Sequence, residues 1–415
     1  MPHEYGHVDH RWAAGRRLRQ VPLAAGNLDG AAPHPPPAGE RFPPRNHLEY
    51  PVTSPLESDR RTFLRQASVA AAVPAAAALL ALNLPGTASA APSAASPADG
   101  LPDYAPVPAS ALGPALNESG YFVGRIAGNL YWVTEGFTQA MFLTTPEGVA
   151  VFDPTPTIGR KLLQAIAEVT RARRLPSRVT HLVYSHSHAD HIGAASIFDG
   201  AITRIAHSET KRLLKAARDP NRPLPTVTFD DRYELRIGGE RVELSFHGPN
   251  HSLDNIFIYV ESAATLMVVD VIFAGWAPFK NLSEAQDVQG WMAAHDLVLA
   301  TPFQTLVGGH VGRLGTRADV ALQRDYVQDL AASTRATIGT LDATPFLAKY
   351  GPTGNAWAIA TSYLDAAAEQ AAAPIIAKYT GRLAATDVVT KPNAAALVNS
   401  TRIDAGILGP FGIQP

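Results

Sequence analysis

Four side chains that can bind a metal ion lie within six residues of one another. The stretch reads His186-Ser187-His188-Ala189-Asp190-His191. In extended backbone, side chains two positions apart point the same way, so His186 and His188 are predicted to reach one metal ion together. Asp190 and His191 follow where the chain turns toward a helix, and they can face a second ion beside the first. The spacing therefore indicates a metal centre rather than a helix start that Asp190 merely caps.

The composition restricts which ligands such a centre can use. The chain has 415 residues, 14 histidines and no cysteine. This excludes disulfides, thiolate nucleophiles, iron–sulfur clusters and zinc sites with sulfur ligands, so a metal site must use nitrogen and oxygen. The net charge of −2 provides no basic field, and we predict no nucleic-acid partner. Hydrophobic residues make up 46% and charged residues 17%, as in a globular protein.

The histidine-rich stretch resembles the metallo-β-lactamase fold superfamily of metal-dependent hydrolases. In that family the motif H-x-H-x-D-H follows a buried strand, and three further ligands come later in the chain. They are a histidine about 60 residues on, an aspartate at a strand end and a histidine after glycine. This sequence has His251, Asp270 and His310 at the corresponding places, and Asp153 matches a further position near an early strand end.

The resemblance implies two metal ions held by seven side chains. One ion would take three imidazoles, from His186, His188 and His251. The second would take Asp190, His191 and His310. Asp270 would bridge the two ions, since a carboxylate can span cations about 3.5–4 Å apart. Mixed nitrogen and oxygen ligands suit catalytic zinc, and iron or manganese are the alternatives.

The implied chemistry is hydrolysis of a small-molecule substrate. Two divalent cations lower the pKa of a bridging water, so that a metal-bridged hydroxide can attack the carbonyl of an ester, lactone or thioester. Asp190 is the predicted catalytic residue. It would orient the hydroxide and carry its proton to the leaving group.

A metallo-β-lactamase is the alternative within this class. Residues 248–255 resemble the corresponding stretch of metallo-β-lactamases that use a cysteine ligand. Here Asp270 stands at the cysteine position, and Phe273 replaces the lysine that binds the substrate carboxylate; Lys280 comes too late to match. His191 stands where many of those enzymes have arginine. The full pattern resembles glyoxalase II, lactonases and related ester or phosphoester hydrolases more closely.

Two interpretations from another class remain. One is a metal-binding protein without turnover, and the other is a diiron redox protein of the same fold. The diiron enzymes use a flavin domain, and nothing in this sequence resembles one.

Strand-like segments precede the proposed ligands. An apolar, β-branched run over residues 179–184 comes directly before the histidine-rich stretch. A second run over residues 265–269 comes directly before Asp270, and a short run over residues 304–307 precedes His310. The proposed ligands therefore follow the ends of strands.

The remaining segments complete a mixed α/β order rather than a simple alternation of strands and helices. Further strands are predicted over residues 130–134, 140–144, 148–153, 226–229, 233–237, 241–246 and 255–260. Helices are predicted over residues 158–171, 209–217 and 283–300. The resemblance implies that these elements form the metallo-β-lactamase fold, a four-layer αββα sandwich, over residues 118–315.

The C-terminal segment, residues 316–415, is predicted to be a helical extension. It is alanine-rich and carries no motif, and Pro374 is expected to interrupt its last helix. Completing the outer layer of the fold is the default interpretation. The alternatives are that it covers the active site or forms a dimer surface, and the oligomeric state is left open.

The N-terminal segments predict export. Residues 1–57 are rich in proline and arginine and are predicted to be disordered. Residues 58–90 resemble a twin-arginine signal peptide, with Arg60-Arg61, an uncharged stretch and a small-x-small site at Ala88-Ser89-Ala90. We expect the twin-arginine export machinery to deliver the chain to the periplasm or outside the cell, with cleavage near Ala90. A retained membrane anchor is the alternative, and residues 91–117 are predicted to be a linker.

One hypothesis concerns the unusual length of the leader. If the annotated start codon lies too far upstream, residues 1–57 are not translated.

The other histidines of the predicted mature chain are not predicted to bind metal. His181 is interpreted as structural or as a partner of a ligand, and His207 as the cap of a helix beginning at Ser208. His247 is interpreted as a partner of a ligand or merely exposed. His295 is interpreted as solvent-facing or as a buried residue with satisfied hydrogen bonds.

Aromatic residues after Asp270 suggest a substrate pocket. Phe273, Trp276 and Phe279 could line an apolar cavity or could simply pack in the core. The predicted hairpin tip at residues 135–139 could overhang the site.

Overall fold

The computed structural model describes residues 101–411. The predicted disordered segment 1–57, the predicted signal peptide 58–90 and the first part of the predicted linker lie outside the described residues. The remainder of that linker forms a single 3-10 turn, Ala109–Ala111, in otherwise irregular backbone.

The first sheet has seven strands that follow one another in sequence order. They are β1 (Phe122–Ala127), β2 (Leu130–Thr134), β3 (Gln139–Thr145), β4 (Gly148–Phe152), β5 (Val179–Val183), β6 (Thr203–His207) and β7 (Val227–Phe229). β1 to β4 are antiparallel neighbours, whereas β4 to β7 are parallel neighbours. The parallel half needs three crossover connections, and each of them carries a helix.

The second sheet has five strands in the order β12-β11-β10-β9-β8. They are β8 (Arg232–Ile237), β9 (Glu240–Phe246), β10 (Ile256–Val260), β11 (Thr265–Met267) and β12 (Thr305–Val307). The strands pair antiparallel except for β11 and β12, which are parallel. The carboxyl ends of β11 and β12 therefore meet at one edge of the sheet.

Helices connect or follow these strands within the described residues, and the longer ones cover the outer faces of the sheets. They are α1 (Lys161–Arg173), α2 (Ala189–Ile192), α3 (Ser208–Ala217), α4 (Val288–Ala300), α5 (Arg317–Thr340), α6 (Thr344–Tyr350), α7 (Ala356–Tyr379) and α8 (Thr386–Ile403). None of the helices in residues 101–411 combines the length and the apolar character needed to cross a bilayer.

Three apolar clusters hold these layers together. The two sheets face each other through buried side chains that include Leu130, Met141 and Val183 on one side and Leu244, Ile258 and Met267 on the other. Alternate residues of the first sheet pack on α1, and the second sheet packs on α4, α5, α7 and α8. Because both faces of each sheet are covered, the predicted αββα sandwich with C-terminal helices is confirmed.

Two details of the predicted helices are wrong. The helix predicted from residue 283 begins only at Val288, because Asn281, Leu282, Ser283 and Glu284 form a left-handed turn with φ of 54–58°. Pro374 does not interrupt a helix but lies inside α7. The lost hydrogen bond is offset by packing, since Ala371 and Ile375 on either side of the proline are buried.

Candidate metal centre

The first sheet delivers four of the predicted ligands from the carboxyl end of β5. His186 and His188 follow this strand in extended backbone, and Asp190 and His191 lie in the short helix α2. Asp153, after the neighbouring strand β4, accepts a hydrogen bond of 2.7 Å from the backbone N–H of Ser185. This contact ties the two strand ends together immediately before the first histidine.

The second sheet delivers the other three ligands at the facing edge. His251 lies in the loop between β9 and β10, Asp270 follows β11 and His310 follows β12. Asp270 has a left-handed backbone with φ of 61°, and its carbonyl oxygen accepts a hydrogen bond of 2.9 Å from the Trp291 indole. The site therefore lies where the strand ends of two sheets meet.

The first group of converging side chains is His186, His188, His251 and Asp270, whose ligand atoms all lie within 4.8 Å of one another. His188 Nδ1 is 3.0 Å from His251 Nε2, and His251 Nε2 is 3.3 Å from Asp270 Oδ2. Four ligands placed about 2.0–2.1 Å from a tetrahedral zinc ion are separated by about 3.3 Å. The donor set fits a divalent cation of this size.

The second group is Asp190, His191 and His310. The Nε2 atoms of His191 and His310 are 3.1 Å apart, and His310 Nε2 is 3.4 Å from Asp190 Oδ2. Two ring nitrogens and a carboxylate oxygen converge here, which also fits a divalent cation.

Asp270 contacts both groups. Its Oδ1 is 3.1 Å from Nε2 of His310, and its Oδ2 is 2.9 Å from Nε2 of His191. Oδ2 is also 3.6 Å from Nε2 of His186 in the first group. The structure thus brings together all seven side chains that the sequence predicts as ligands, with Asp270 in the middle.

The state of His186 suits a metal ligand. Burial lowers the pKa of this imidazole well below its usual value, so the ring is neutral. Nδ1 lies 2.9 Å from the hydroxyl of Ser185, whereas Nε2 is buried and has no hydrogen-bond partner among residues 101–411. A buried nitrogen left without a partner is costly, and a cation would satisfy it.

The second group carries compensating charges. Burial opposes protonation of His310, but its contacts with Asp190 and Asp270 raise its pKa to about 9. Burial likewise opposes ionisation of Asp190, but the hydrogen bond from His310 lowers its pKa to about 2. Both carboxylates are thus ionised at neutral pH and attract positive charge to this group.

The orientation of His251 depends on residues that the sequence does not single out. Its Nδ1 lies 2.7 Å from the carbonyl oxygen of Ser283, in the left-handed turn. Asn393 of α8 holds that turn, since its Oδ1 accepts from the Leu282 N–H at 2.8 Å and its amide donates to the Pro278 carbonyl at 2.9 Å. No local pattern in the sequence connects residues separated by 111 positions.

Gln323 of α5 holds the loop that follows Asp270. Its Oε1 accepts from the Phe273 N–H at 2.8 Å, and its amide donates to the Val271 carbonyl at 2.6 Å and to His295 Nε2 at 2.9 Å. His295 therefore carries its proton on Nδ1, which donates to the Trp291 carbonyl at 3.2 Å. This confirms the interpretation of His295 as buried with satisfied hydrogen bonds, and burial lowers its pKa to about 4.

The other histidines outside the site have local roles within the described residues. His207 Nδ1 accepts from the Glu209 N–H at 3.3 Å, which confirms the predicted cap of α3. His181 contacts the Thr180 hydroxyl and His247 contacts the Ser245 hydroxyl. Neither His181 nor His247 belongs to the two converging groups.

A cavity of about 420 Å³ opens above the two groups. Phe273, Trp276 and Phe279 line it, as one of the two sequence interpretations predicts. Phe137, at the predicted hairpin tip, also lines it, and its ring centroid lies 5.6 Å from that of His310. Ala385, Val388 and Val389 also line it, and the last two belong to α8.

The C-terminal helices therefore have two roles. They complete the outer layer, which is the default interpretation from the sequence, and α8 also forms a wall of the cavity. The predicted linker also contacts the cavity lining, because the carbonyl of Ala111 accepts a hydrogen bond of 3.1 Å from the Trp276 indole.

Part of this chain is similar in sequence to proteins of one superfamily. The family model of the metallo-beta-lactamase superfamily matches residues 133–332. The 2,4-dinitroanisole O-demethylase subunit alpha of Nocardioides sp. (strain JS1661) is 25% identical over 197 residues, which cover 46% of this chain and 58% of that subunit. The metallo-beta-lactamase type 2 of Bacillus sp. (strain 170) is 26% identical over 207 residues, or 48% of this chain and 73% of that enzyme.

Among solved structures, the metallo-beta-lactamase from Pontibacter korlensis aligns with a TM-score of 0.42 and 20% identity, covering 49% of this chain and 97% of that protein. The family match includes both sheets from β3 onward, all seven converging side chains and the first part of α5. Residues 133–332 of this chain are therefore a domain of the metallo-beta-lactamase superfamily of metal-dependent hydrolases.

Proposed function

We propose that this protein is an exported hydrolase that uses two divalent cations, zinc in the first instance, to cleave a carbonyl bond in an ester, lactone or thioester. The observation that carries the proposal is the position of Asp270, whose carboxylate contacts both groups of converging side chains: Oδ2 lies 3.3 Å from Nε2 of His251 in the first group, and Oδ1 lies 3.1 Å from Nε2 of His310 in the second. A carboxylate in this position can share two cations.

The side chains proposed to hold the cations are those of the two groups. His186, His188 and His251 would hold one, Asp190, His191 and His310 the other, and Asp270 both. When bound, the cations supply Lewis acidity and lower the pKa of water toward neutrality.

Asp190 is the proposed catalytic residue. Its side chain is 53% exposed, whereas the other carboxylate of the site, Asp270, is 4% exposed and surrounded by imidazoles. Its exposed carboxylate can accept a proton from the attacking water and pass it to the leaving group. His310 Nε2 lies 3.4 Å from this carboxylate, and both side chains are proposed to hold the same cation.

A β-lactamase activity is the second candidate. It is favoured by the matching relatives that are named metallo-beta-lactamases. Such substrates carry a carboxylate, however, and none of the described residues that line the cavity is a lysine or an arginine. Phe273 lines the cavity at the position where metallo-β-lactamases with a cysteine ligand carry the lysine that binds the substrate carboxylate.

A panel of substrates tests the proposal. The purified full chain, loaded with zinc, is given lactones, thioesters, β-lactams and phosphodiesters, together with 2,4-dinitroanisole because of the name of one relative. Hydrolysis of a carbonyl substrate is expected. Full metal content without hydrolysis of any member would favour a binding protein, and bound iron with an electron-transfer spectrum would overturn the hydrolase proposal.

Export is proposed from the twin arginines Arg60 and Arg61 and the small residues that end at Ala90. Sequencing the N-terminus of the protein from its native cell is expected to give a chain beginning near residue 91, in the periplasm or the medium. A chain with its leader intact inside the cell would contradict export. Peptides from residues 1–50 in the precursor would refute the hypothesis that residues 1–57 are not translated.

A further inference from the structure

Two segments of the chain give the cavity above the metal centre an apolar lining. One is the loop after Asp270, with Phe273, Trp276 and Phe279, and the other is the start of α8, with Val388 and Val389. At about 420 Å³ the cavity is within the range of pockets that enclose small organic ligands. A ring or a branched aliphatic group entering it can contact hydrocarbon from both segments.

No lysine or arginine is among the described residues that line the cavity. Apart from the proposed ligands, Glu284 is the one charged side chain among the described residues that line it. Lys280 lies outside the lining and is exposed, with its ammonium 5.7 Å from the centroid of the Phe279 ring. An anionic group placed beyond the cations would lose its water without gaining a positive partner, which disfavours it.

Backbone hydrogen bonds join the start of α8 to the loop that follows Asp270. The Ala384 N–H donates to the Gly275 carbonyl at 2.9 Å, and the Ala277 N–H donates to the Ala384 carbonyl at 3.0 Å. Trp276 lies between Gly275 and Ala277 in the chain, so these hydrogen bonds fix its position relative to the start of α8. The wall is a built part of the pocket, and its side chains can determine which substrates fit.

We propose that α8, through Val388 and Val389, selects substrates that present a neutral aromatic or branched aliphatic group to this cavity, and that it rejects substrates with an anionic group there. The proposal rests on the proposed hydrolase function, because it names the class of substrate that the same site would hydrolyse. The binding preference itself can be measured without turnover.

The test uses one substitution that puts a cation into the wall. Val388 is 39% exposed, so Val388→Arg can be accommodated without disturbing the core. Val388→Leu keeps the wall apolar, and Asn399→Arg adds the same charge at an exposed position of α8 outside the cavity. Metal content and unfolding midpoint are measured first, to show that all four proteins are folded and equally loaded.

Binding is then measured by calorimetry with two ring compounds of similar size, 2-naphthol and 2-naphthalenesulfonate. The native chain is expected to prefer the neutral compound by about tenfold or more, and Val388→Arg is expected to reduce that preference by about tenfold. Val388→Leu and Asn399→Arg should leave it unchanged. Equal binding of both compounds by the native chain, or an unchanged preference in Val388→Arg, would overturn the proposal.

Turnover of phenyl acetate and 4-carboxyphenyl acetate separates this inference from the hydrolase function. Preferential cleavage of the neutral ester, reduced in Val388→Arg, supports both. Cleavage of both esters at equal kcat/KM would overturn the substrate class while leaving the hydrolase intact. Selective binding of 2-naphthol without cleavage of either ester would leave the selectivity of α8 intact and count against carbonyl hydrolysis.

Discussion

The imidazole Nδ1 of His251 donates to the carbonyl oxygen of Ser283 across 2.7 Å, and this acceptor lies in a left-handed turn. The hydrogen bond leaves Nε2 as the nitrogen with a free lone pair, and Nε2 is the atom that faces His188 and Asp270. A left-handed turn of non-glycine residues costs about 1–2 kcal/mol per residue. Asn393 of α8 stabilises the turn by accepting a hydrogen bond from the Leu282 N–H. The helix α8 is therefore connected to His251 through this hydrogen bond and the one between Ser283 and His251.

The first prediction concerns Asn393. Replacing it by leucine removes the acceptor for the Leu282 N–H and should let the turn relax, which misorients His251. We expect zinc affinity to fall by about 10- to 100-fold, as for other residues that orient metal-binding histidines. Competition with a chromophoric chelator measures this. Asn399→Leu, on an exposed position of the same helix, is the control, and equal affinities in the two variants would contradict the assigned role.

The second prediction concerns Asp190. Asp190→Asn preserves the shape of the side chain and a neutral oxygen, so the variant should keep most of its metal. Loss of a proton carrier should lower kcat by about 10²- to 10⁴-fold. The measurement is turnover per bound metal on whichever substrate the panel identifies. A metallated variant with near-normal kcat would show that Asp190 has no part in proton transfer.

The third prediction is that metal binding releases protons. Because Asp190 and Asp270 raise the pKa of His310 to about 9, its ring is protonated at pH 7 in the metal-free protein. A metal ion needs the neutral ring, so the proton must leave when the ion binds. Zinc affinity should therefore rise between pH 7 and 9. Calorimetry in two buffers of different ionisation enthalpy measures the proton release, and identical heats in both buffers would count against it.

The fourth prediction links His295 to acid stability. Burial lowers its folded-state pKa to about 4, below the unfolded value of 6.5, so the folded protein keeps this ring neutral while the unfolded chain binds a proton. The stability is fully present above pH 6.5 and declines as pH falls toward 4, by roughly 3 kcal/mol. Urea unfolding at pH 7 and pH 4.5 measures the loss.

His295→Gln is the matched comparison for that measurement. Glutamine does not titrate in this range, so the variant should be less stable at pH 7 and should lose less stability on acidification than the native protein. If both proteins lose the same free energy between the two pH values, the acid sensitivity has another origin.

The predictable part of this protein consists of local patterns. The spacing of His186, His188, Asp190 and His191 after an apolar run, and the strand ends before Asp270 and His310, are visible over a few residues. Alternation of side chains in extended backbone makes such patterns informative, because neighbours two apart must share a face. Fold class, the set of converging side chains and the positions of most strands follow from these patterns and from the family resemblance, whereas β1 and β6 have no counterpart among the predicted strand ranges.

Tertiary structure alone decided the parts that connect distant segments. The left-handed turn at Ser283, its support by Asn393, the loop held by Gln323 and the cavity wall at Val388 involve residues far apart in the chain. None of these residues has a local signal, because positive φ at ordinary residues is imposed by packing and partners are chosen by proximity in the fold. The amino-acid sequence by itself determined which residues are proposed as metal ligands, because their spacing is local; the packing of the C-terminal helices decided how His251 is oriented and which side chains of α8 line the cavity.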